Sequence, residues 1–148
     1  MQGKKILIAS DHGGFELKEQ LKAYLQNKGY EILDYGTDSV ASVNYPDYAK
    51  LLAMGIEEKK GDRGILICTS GIGMSIAANR YSFIRAALVH TVEEAHLCRA
   101  HNDANVLVFG AKFITAATAK KCVNEFLTTA FEGGRHCPRV DALERMGK

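Results

Sequence analysis

Apolar residues along the chain follow two alternating rhythms. Short, nearly unbroken apolar runs at Lys5–Ser10, Tyr30–Asp34, Gly64–Cys68, Ile84–His90 and Asn105–Phe109 predict five strands. Between them the apolar positions recur at helical spacing. Leu17, Leu21 and Leu25 stand at i, i+4 and i+8 among Glu and Lys, in a helix ending near Gly29. Leu51, Leu52 and Ile56 give one face to a helix over Tyr48–Lys59, stopped by Gly61. Shorter helices are predicted over Ser75–Arg80 and over Val92–Ala100, the latter opened by a capping box of Thr91 and Glu94. An Ala-rich helix over Thr115–Phe131 is punctuated by Gly133-Gly134, and Pro138–Met146 predicts a last short one. The stretch from Thr37 to Pro46 is polar and turn-rich, and Tyr45 reads there as a turn residue.

Strands alternating with helices at this spacing are βαβ units. They build an α/β domain with a parallel sheet covered on both faces. A chain of 148 residues makes one such domain, residues 1–148. Ligands of open α/β sheets sit beyond the carboxyl ends of the strands, where the strand order reverses. If the order begins 2-1-3, the Asp11-His12 turn faces the loop from Cys68 to Gly73 across that crevice.

Composition narrows the function. The net charge is only +2 and no Lys/Arg block is interleaved with aromatics, so no nucleic-acid partner is expected. No apolar stretch approaches a membrane span, and the run Ile6–Ala9 is too brief for a signal sequence. Four separated cysteines without a C-x-x-C pair exclude a zinc ribbon, and a cytoplasmic protein with reduced thiols is expected. Packing is the default role for Cys98, Cys122 and Cys137. His96, Cys98 and His101 invite a metal, but His96 and His101 lie five apart and do not share a helix face, so no metal site is expected.

The chemistry concentrates at Cys68. The strand ends in this thiol, passes through Thr69-Ser70-Gly71-Ile72-Gly73, and enters a helix whose first N–H groups favour an anion and a thiolate. The plain alternative is a small buried hydrophobe. Met74 follows Gly73 where a P-loop needs Lys, and it also stands where a cysteine phosphatase needs Arg; Ile76 replaces the third glycine of a dinucleotide fingerprint. His101, at a helix end beside Asn102, is either a cap or a proton carrier. Arg135 and Arg139 straddle His136 at a spacing that lets two guanidiniums clamp one phosphate, if the tail folds back or reaches a partner subunit. Lys112 is a further anion ligand candidate; a solvated surface is the alternative for all three.

Taken together, Ser10-Asp11-His12-Gly13-Gly14, Asn44-Tyr45-Pro46-Asp47-Tyr48-Ala49, Gly64-Ile65-Leu66-Ile67-Cys68, Gly71 to Asn79, His101-Asn102-Asp103 and Glu132-Gly133-Gly134-Arg135-His136 resemble the type B ribose-5-phosphate isomerases, across nearly the whole chain. The wider family includes allose-6-phosphate and galactose-6-phosphate isomerases. The resemblance implies a three-layer α/β/α sandwich, Rossmann-like, with five parallel strands ordered 2-1-3-5-4. It implies a homodimer or dimer of dimers with active sites shared between subunits, a sugar phosphate as the small-molecule partner, and no cofactor. It makes Cys68 the base that moves a proton between C1 and C2, and gives the enediolate N–H donors from Thr69, Ser70, Gly71, Ile72 and Gly73. His101 with Asp11 would open the furanose ring. Asp11, His12, Tyr45 and Asn102 would hold sugar hydroxyls, while Lys112, Arg135 and Arg139 would hold phosphate. Thr69 stands where the family usually has Gly, and Lys112 where Arg is more frequent. Met74 replaces the Glu of a subgroup lacking the cysteine, which puts this chain in the Cys-dependent branch. A six-carbon sugar phosphate as substrate and a silent phosphosugar-binding module are the alternative readings.

Overall fold

A computed structural model describes residues 4–147; Met1–Gly3 and Lys148, at the ends of the expected domain, lie outside the described residues. Five strands form one sheet: β1 (Lys5–Ser10), β2 (Glu31–Asp34), β3 (Arg63–Cys68), β4 (Ala86–Leu88) and β5 (Val106–Gly110). All neighbours run parallel in the order β2-β1-β3-β5-β4, the order implied by the resemblance. Alternate side chains of the central strands feed opposite faces, which is why these strands read as continuous apolar runs. Ile6, Ile8, Ile65, Ile67, Leu107 and Phe109 pack on one side with α1 (Phe15–Asn27), α4 (Val92–Ala100) and α5 (Ala116–Thr128). Leu7, Ala9, Leu66, Cys68, Val106 and Val108 pack on the other with α2 (Tyr45–Glu57) and α3 (Ile72–Ala78). The last helix, α6 (Cys137–Arg145), buries only Val140 among its residues and stands outside the layers, tied by an ion pair from Glu144 to Arg85.

Several boundaries move, each for a physical reason. α2 begins at Tyr45 rather than Tyr48, because Pro46 in the first turn supplies a helical φ where no N–H is needed. Tyr45 is therefore a helical residue and not a turn. α3 starts at Ile72, directly after the left-handed Gly71. β4 keeps only three ladder residues at the sheet edge, although Ile84 and Val89 on either side remain buried. On α2 the core face is Ala49, Leu52 and Ala53; Leu51 points outward, 46% exposed.

One polar device inside the fold steadies the carboxyl end of β1. Lys18 is 1% exposed, with its Nζ 2.6 Å from Asp34 Oδ2 and 2.8 Å from Glu19 Oε2. Asp34 Oδ1 accepts the Gly36 N–H, and Gly36 O in turn accepts the N–H of Ser10, the residue before Asp11. Burial alone raises the Asp34 carboxyl, but hydrogen bonds from Lys18, Lys22 and Gly36 outweigh it and hold the group below its usual range. A carboxyl depressed on folding contributes stability above its unfolded value and loses it as pH falls through the folded one. Urea unfolding at pH 7 and at about pH 3 therefore shows a shallower acid loss for Asp34→Asn than for the parent. Equal losses would remove Asp34 from the account.

Candidate active site

Cys68 ends β3 beside Gly110, the last residue of β5, and is 5% exposed. The loop after it folds back so that the Gly71 N–H donates to Cys68 Sγ at 3.2 Å. This needs Gly71 at φ +79°, where a Cβ would also lie 2.5 Å from Leu88 and 2.9 Å from the Gly110 nitrogen. Ile72 N–H turns to Ser70 Oγ at 3.2 Å, and Gly71 at the N-cap has no side chain, so the N–H groups after Ile72 in the first turn of α3 have no side-chain cap. The far side of the loop is locked from β5: Ala111 N–H donates to Cys68 O and Lys112 N–H to Thr69 O, both at 2.9 Å. A Cβ on Gly110 would sit 2.2 Å from the Ser70 carbonyl oxygen, backbone that cannot swing aside. Gly110→Ala should therefore cost about 1–3 kcal/mol, read as a lower midpoint in chemical unfolding, and an unchanged midpoint would show the loop is not so tightly held.

The turn after β1 closes against this loop, as the 2-1-3 order predicts. Asp11 N–H donates to Ile67 O at 3.2 Å, and Asp11 Oδ1 accepts the N–H groups of Gly13 and Gly14, leaving Oδ2 for other partners. A Cβ on Gly13 would fall 2.0 Å from Thr69 Oγ1, so the Thr69 side chain lies directly on that glycine. His12 Nδ1 accepts the Val43 N–H at 3.2 Å, which in the neutral ring puts the proton on Nε2. The Tyr45 ring covers Gly73, where a Cβ would approach it to 2.6 Å. Asp11, His12, Tyr45, Thr69, Ser70, Gly71, Ile72, Gly73 and the Lys112 backbone are thus gathered at the carboxyl end of the sheet, where β3 ends in Cys68.

His101, Asn102, Arg135 and Arg139 are elsewhere. α4 runs back across the sheet, and Asp103 to Asn105 lead from its end into the start of β5, the end opposite Gly110. The Asp11–His101 pair expected for ring opening is not assembled within one chain. Spanning β5 alone takes about 13 Å, four steps of roughly 3.3 Å. The tail does fold back, but onto His101 rather than onto Cys68. The His101 and His136 rings stack at 4.4 Å, and Arg135 and Arg139 lie exposed on either side of His136. A cleft of about 760 Å³ opens on this edge, lined by Arg80, Asn102 and Leu143 among others. Cys68 does not line it.

Metal chemistry finds little purchase. His96 pairs with Glu125 at 2.8 Å and Cys98 donates to Ala95 O, so the triplet with His101 does not converge. His101, Glu132 and His136 bring their ligand atoms within 4.8 Å of one another. Their imidazoles, however, are only 18° from parallel, so the in-plane lone pairs run side by side. Cys98 and Cys122 are buried and pushed up to about 11 by burial, as packing cysteines are; Cys137 departs from that default and is exposed on α6. In sequence Glu132 and His136 stand within one motif of the resemblance and beside the arginines, without a role of their own. The signal was the Gly-Gly pair between them, whose purpose needs the fold.

Comparisons with known proteins agree with this geometry. The family described as ribose/galactose isomerase matches residues 6–143. A sugar phosphate isomerase assigned as putative in Rickettsia bellii is 51% identical over 144 residues, spanning 97% of this chain and 100% of that one. Ribose-5-phosphate isomerase B of Escherichia coli is 44% identical over 140 residues, 95% of this chain and 94% of the relative. The crystal structure of a ribose 5-phosphate isomerase from Thermotoga maritima superposes with a TM-score of 0.94 at 52% identity, covering 95% of this chain and 97% of its own. That of ribose-5-phosphate isomerase B from Mycoplasma genitalium, with bound ribulose-5-phosphate, gives 0.92 at 39% identity, covering 98% and 97%.

Proposed function

This chain belongs to the ribose/galactose isomerase family, and from that premise we propose that it is a ribose-5-phosphate isomerase, interconverting ribose 5-phosphate and ribulose 5-phosphate through an enediolate. The bound ribulose-5-phosphate of the Mycoplasma genitalium relative names the same product. The observation that carries the chemistry is the thiol of Cys68 held under the Gly71 N–H at the carboxyl edge of the sheet, beside uncapped N–H groups.

Ring opening comes first. His101 gives a proton to the furanose ring oxygen and takes one from the C1 hydroxyl, leaving the open-chain aldehyde. Cys68 as thiolate then removes the proton from C2. The electron pair of that C–H bond forms the C1–C2 double bond, and charge collects on the C1 oxygen. The N–H groups of the loop from Thr69 to Gly73 meet that charge where it develops, which lets a weak carbon acid ionise. The O2 hydroxyl proton passes to the O1 oxyanion. The thiol then returns its proton to C1 as the C1–C2 double-bond pair takes it up, and the O2 lone pair closes the C2 carbonyl, leaving a C1 hydroxyl and the thiolate restored. Asp11, His12, Tyr45 and Asn102 hold hydroxyls, and Lys112, Arg135 and Arg139 hold the phosphate, so the reacting carbons face the thiol. The step uses side chains and backbone alone.

The separation of His101 and both arginines from Cys68 supports a site shared between two copies of this chain, as a homodimer or dimer of dimers. Ile72 and Ile76, one turn apart on α3, are 55% and 62% exposed next to Tyr45, itself 39% exposed. An apolar strip at the mouth of the thiol loop suits a second subunit. Among the described residues no helix is long and apolar enough to cross a membrane; with the reduced, separated cysteines this supports a cytoplasmic enzyme. Incubation with ribose 5-phosphate in heavy water should yield ribulose 5-phosphate carrying solvent deuterium at C1. Failure to form the ketose would overturn the assignment.

A further inference from the structure

The most enclosed imidazole of the chain has no part in the chemistry so far. His136 is 6% exposed, and its Nε2 is buried without a hydrogen-bond partner. Its ring lies on that of His101, centroids 4.4 Å apart and planes 18° from parallel, with Phe131 tilted against it at 6.4 Å. The local backbone is shaped to bring it there. Glu132 N–H donates to Ala100 O at 3.0 Å, pinning this segment to the end of α4. Gly133 and Gly134 then take φ of +70° and +55° in succession, a reversal open chiefly to glycine, and the His136 N–H closes on Gly133 O at 3.1 Å. The Glu132 carboxylate returns to the rim of the stack, 3.9 Å from His101 Nε2 and 3.5 Å from His136 Nε2.

We propose that His136 is a positioning residue for His101: its buried ring is the platform that fixes the plane of the imidazole that opens the sugar. This rests on the ring-opening role given to His101 above. His101 is 37% exposed at a helix end and rotates about two side-chain bonds unless something flat holds it. Exchanging protons with two oxygens of one sugar tolerates little rotation. The environment also keeps the platform neutral. Burial lowers the proton affinity of His136, the charges of Arg135, His101 and Arg139 lower it further, and only Glu132 opposes them. Two stacked cations would repel, whereas a neutral His136 supports its neighbour in either charge state.

The test compares His136→Ala, His136→Phe and His101→Ala on ribose 5-phosphate and on 4-deoxyribose 5-phosphate, which lacks the hydroxyl that closes the furanose. His136→Ala should lose about 10–100-fold in kcat on ribose 5-phosphate with KM within about twofold, and lose little on the analogue. His136→Phe, with a flat face of similar size, should recover most of the loss. If the Ala variant does not fold, His136→Leu fills the volume without a flat face and should show the same selective loss. Equal loss on both substrates, no loss on either, or a Phe variant as impaired as Ala overturns the proposal. His101→Ala separates the two layers of argument. A selective loss in His101→Ala without one in His136→Ala removes the platform alone. An equal loss in His101→Ala on both substrates removes the ring-opening reading, and the platform falls with it.

Discussion

Cys68→Ala should abolish isomerisation, with kcat falling by about 10⁴ while a non-reactive phosphosugar still binds. The size follows from the chemistry. The C2 proton is held by a weak carbon acid, the Cys68 thiolate is the base proposed for it, and Met74 stands where the glutamate of the other subgroup would be. The selectivity follows from geometry, because the phosphate and hydroxyl ligands proposed for binding are other residues. Inhibitor titration monitored by calorimetry, beside steady-state kinetics, checks both halves. Activity within tenfold of the parent would take the thiol out of the mechanism. Loss of binding together with turnover would mean that Cys68 mainly shapes the loop.

The second large effect is a recovery. With the shared dimer site proposed above, Cys68→Ala and His101→Ala should each be inactive on ribose 5-phosphate, because every site then lacks one proton carrier. Unfolding the two together and refolding the mixture should restore about a quarter of the parent activity: half of the dimers are mixed, and each mixed dimer holds one intact site. No recovery, from chains shown by mass spectrometry to have mixed, would mean that thiol and imidazole serve the same subunit's site. The test requires no assumption about whether the dimers pair further.

Most of the fold was legible because both faces of the sheet are covered. Runs such as Ile65-Leu66-Ile67 must be apolar throughout, and their spacing with Leu17, Leu21 and Leu25 leaves few topologies. Boundaries were less legible where one residue decides them, as at Pro46 for α2 and Gly71 for α3. The loop from Cys68 to Gly73 was readable because alternate glycines have few other uses. Lys18 was not: a lysine in an amphipathic helix reads as solvent-facing, and only the Asp34 turn explains its burial. The spacing of Cys68 and His101 along the chain does not show that they stand at opposite ends of the sheet; only the resemblance points to sites shared between subunits. Sequence order says that His101 follows α4, but not which end of the sheet that helix reaches. The pairing of His136 with the His101 ring is not legible in sequence, because the two lie 35 positions apart and meet only through the Gly133-Gly134 reversal.

The thiol and the imidazole stand at opposite ends of β5, and with the shared site proposed above that placement ties catalysis to abundance. On that proposal a lone folded chain carries both groups and brings neither to a partner it can use. Specific activity should then follow the law of mass action, falling on dilution below the dissociation constant of the proposed assembly and returning on concentration, with substrate favouring the assembled form.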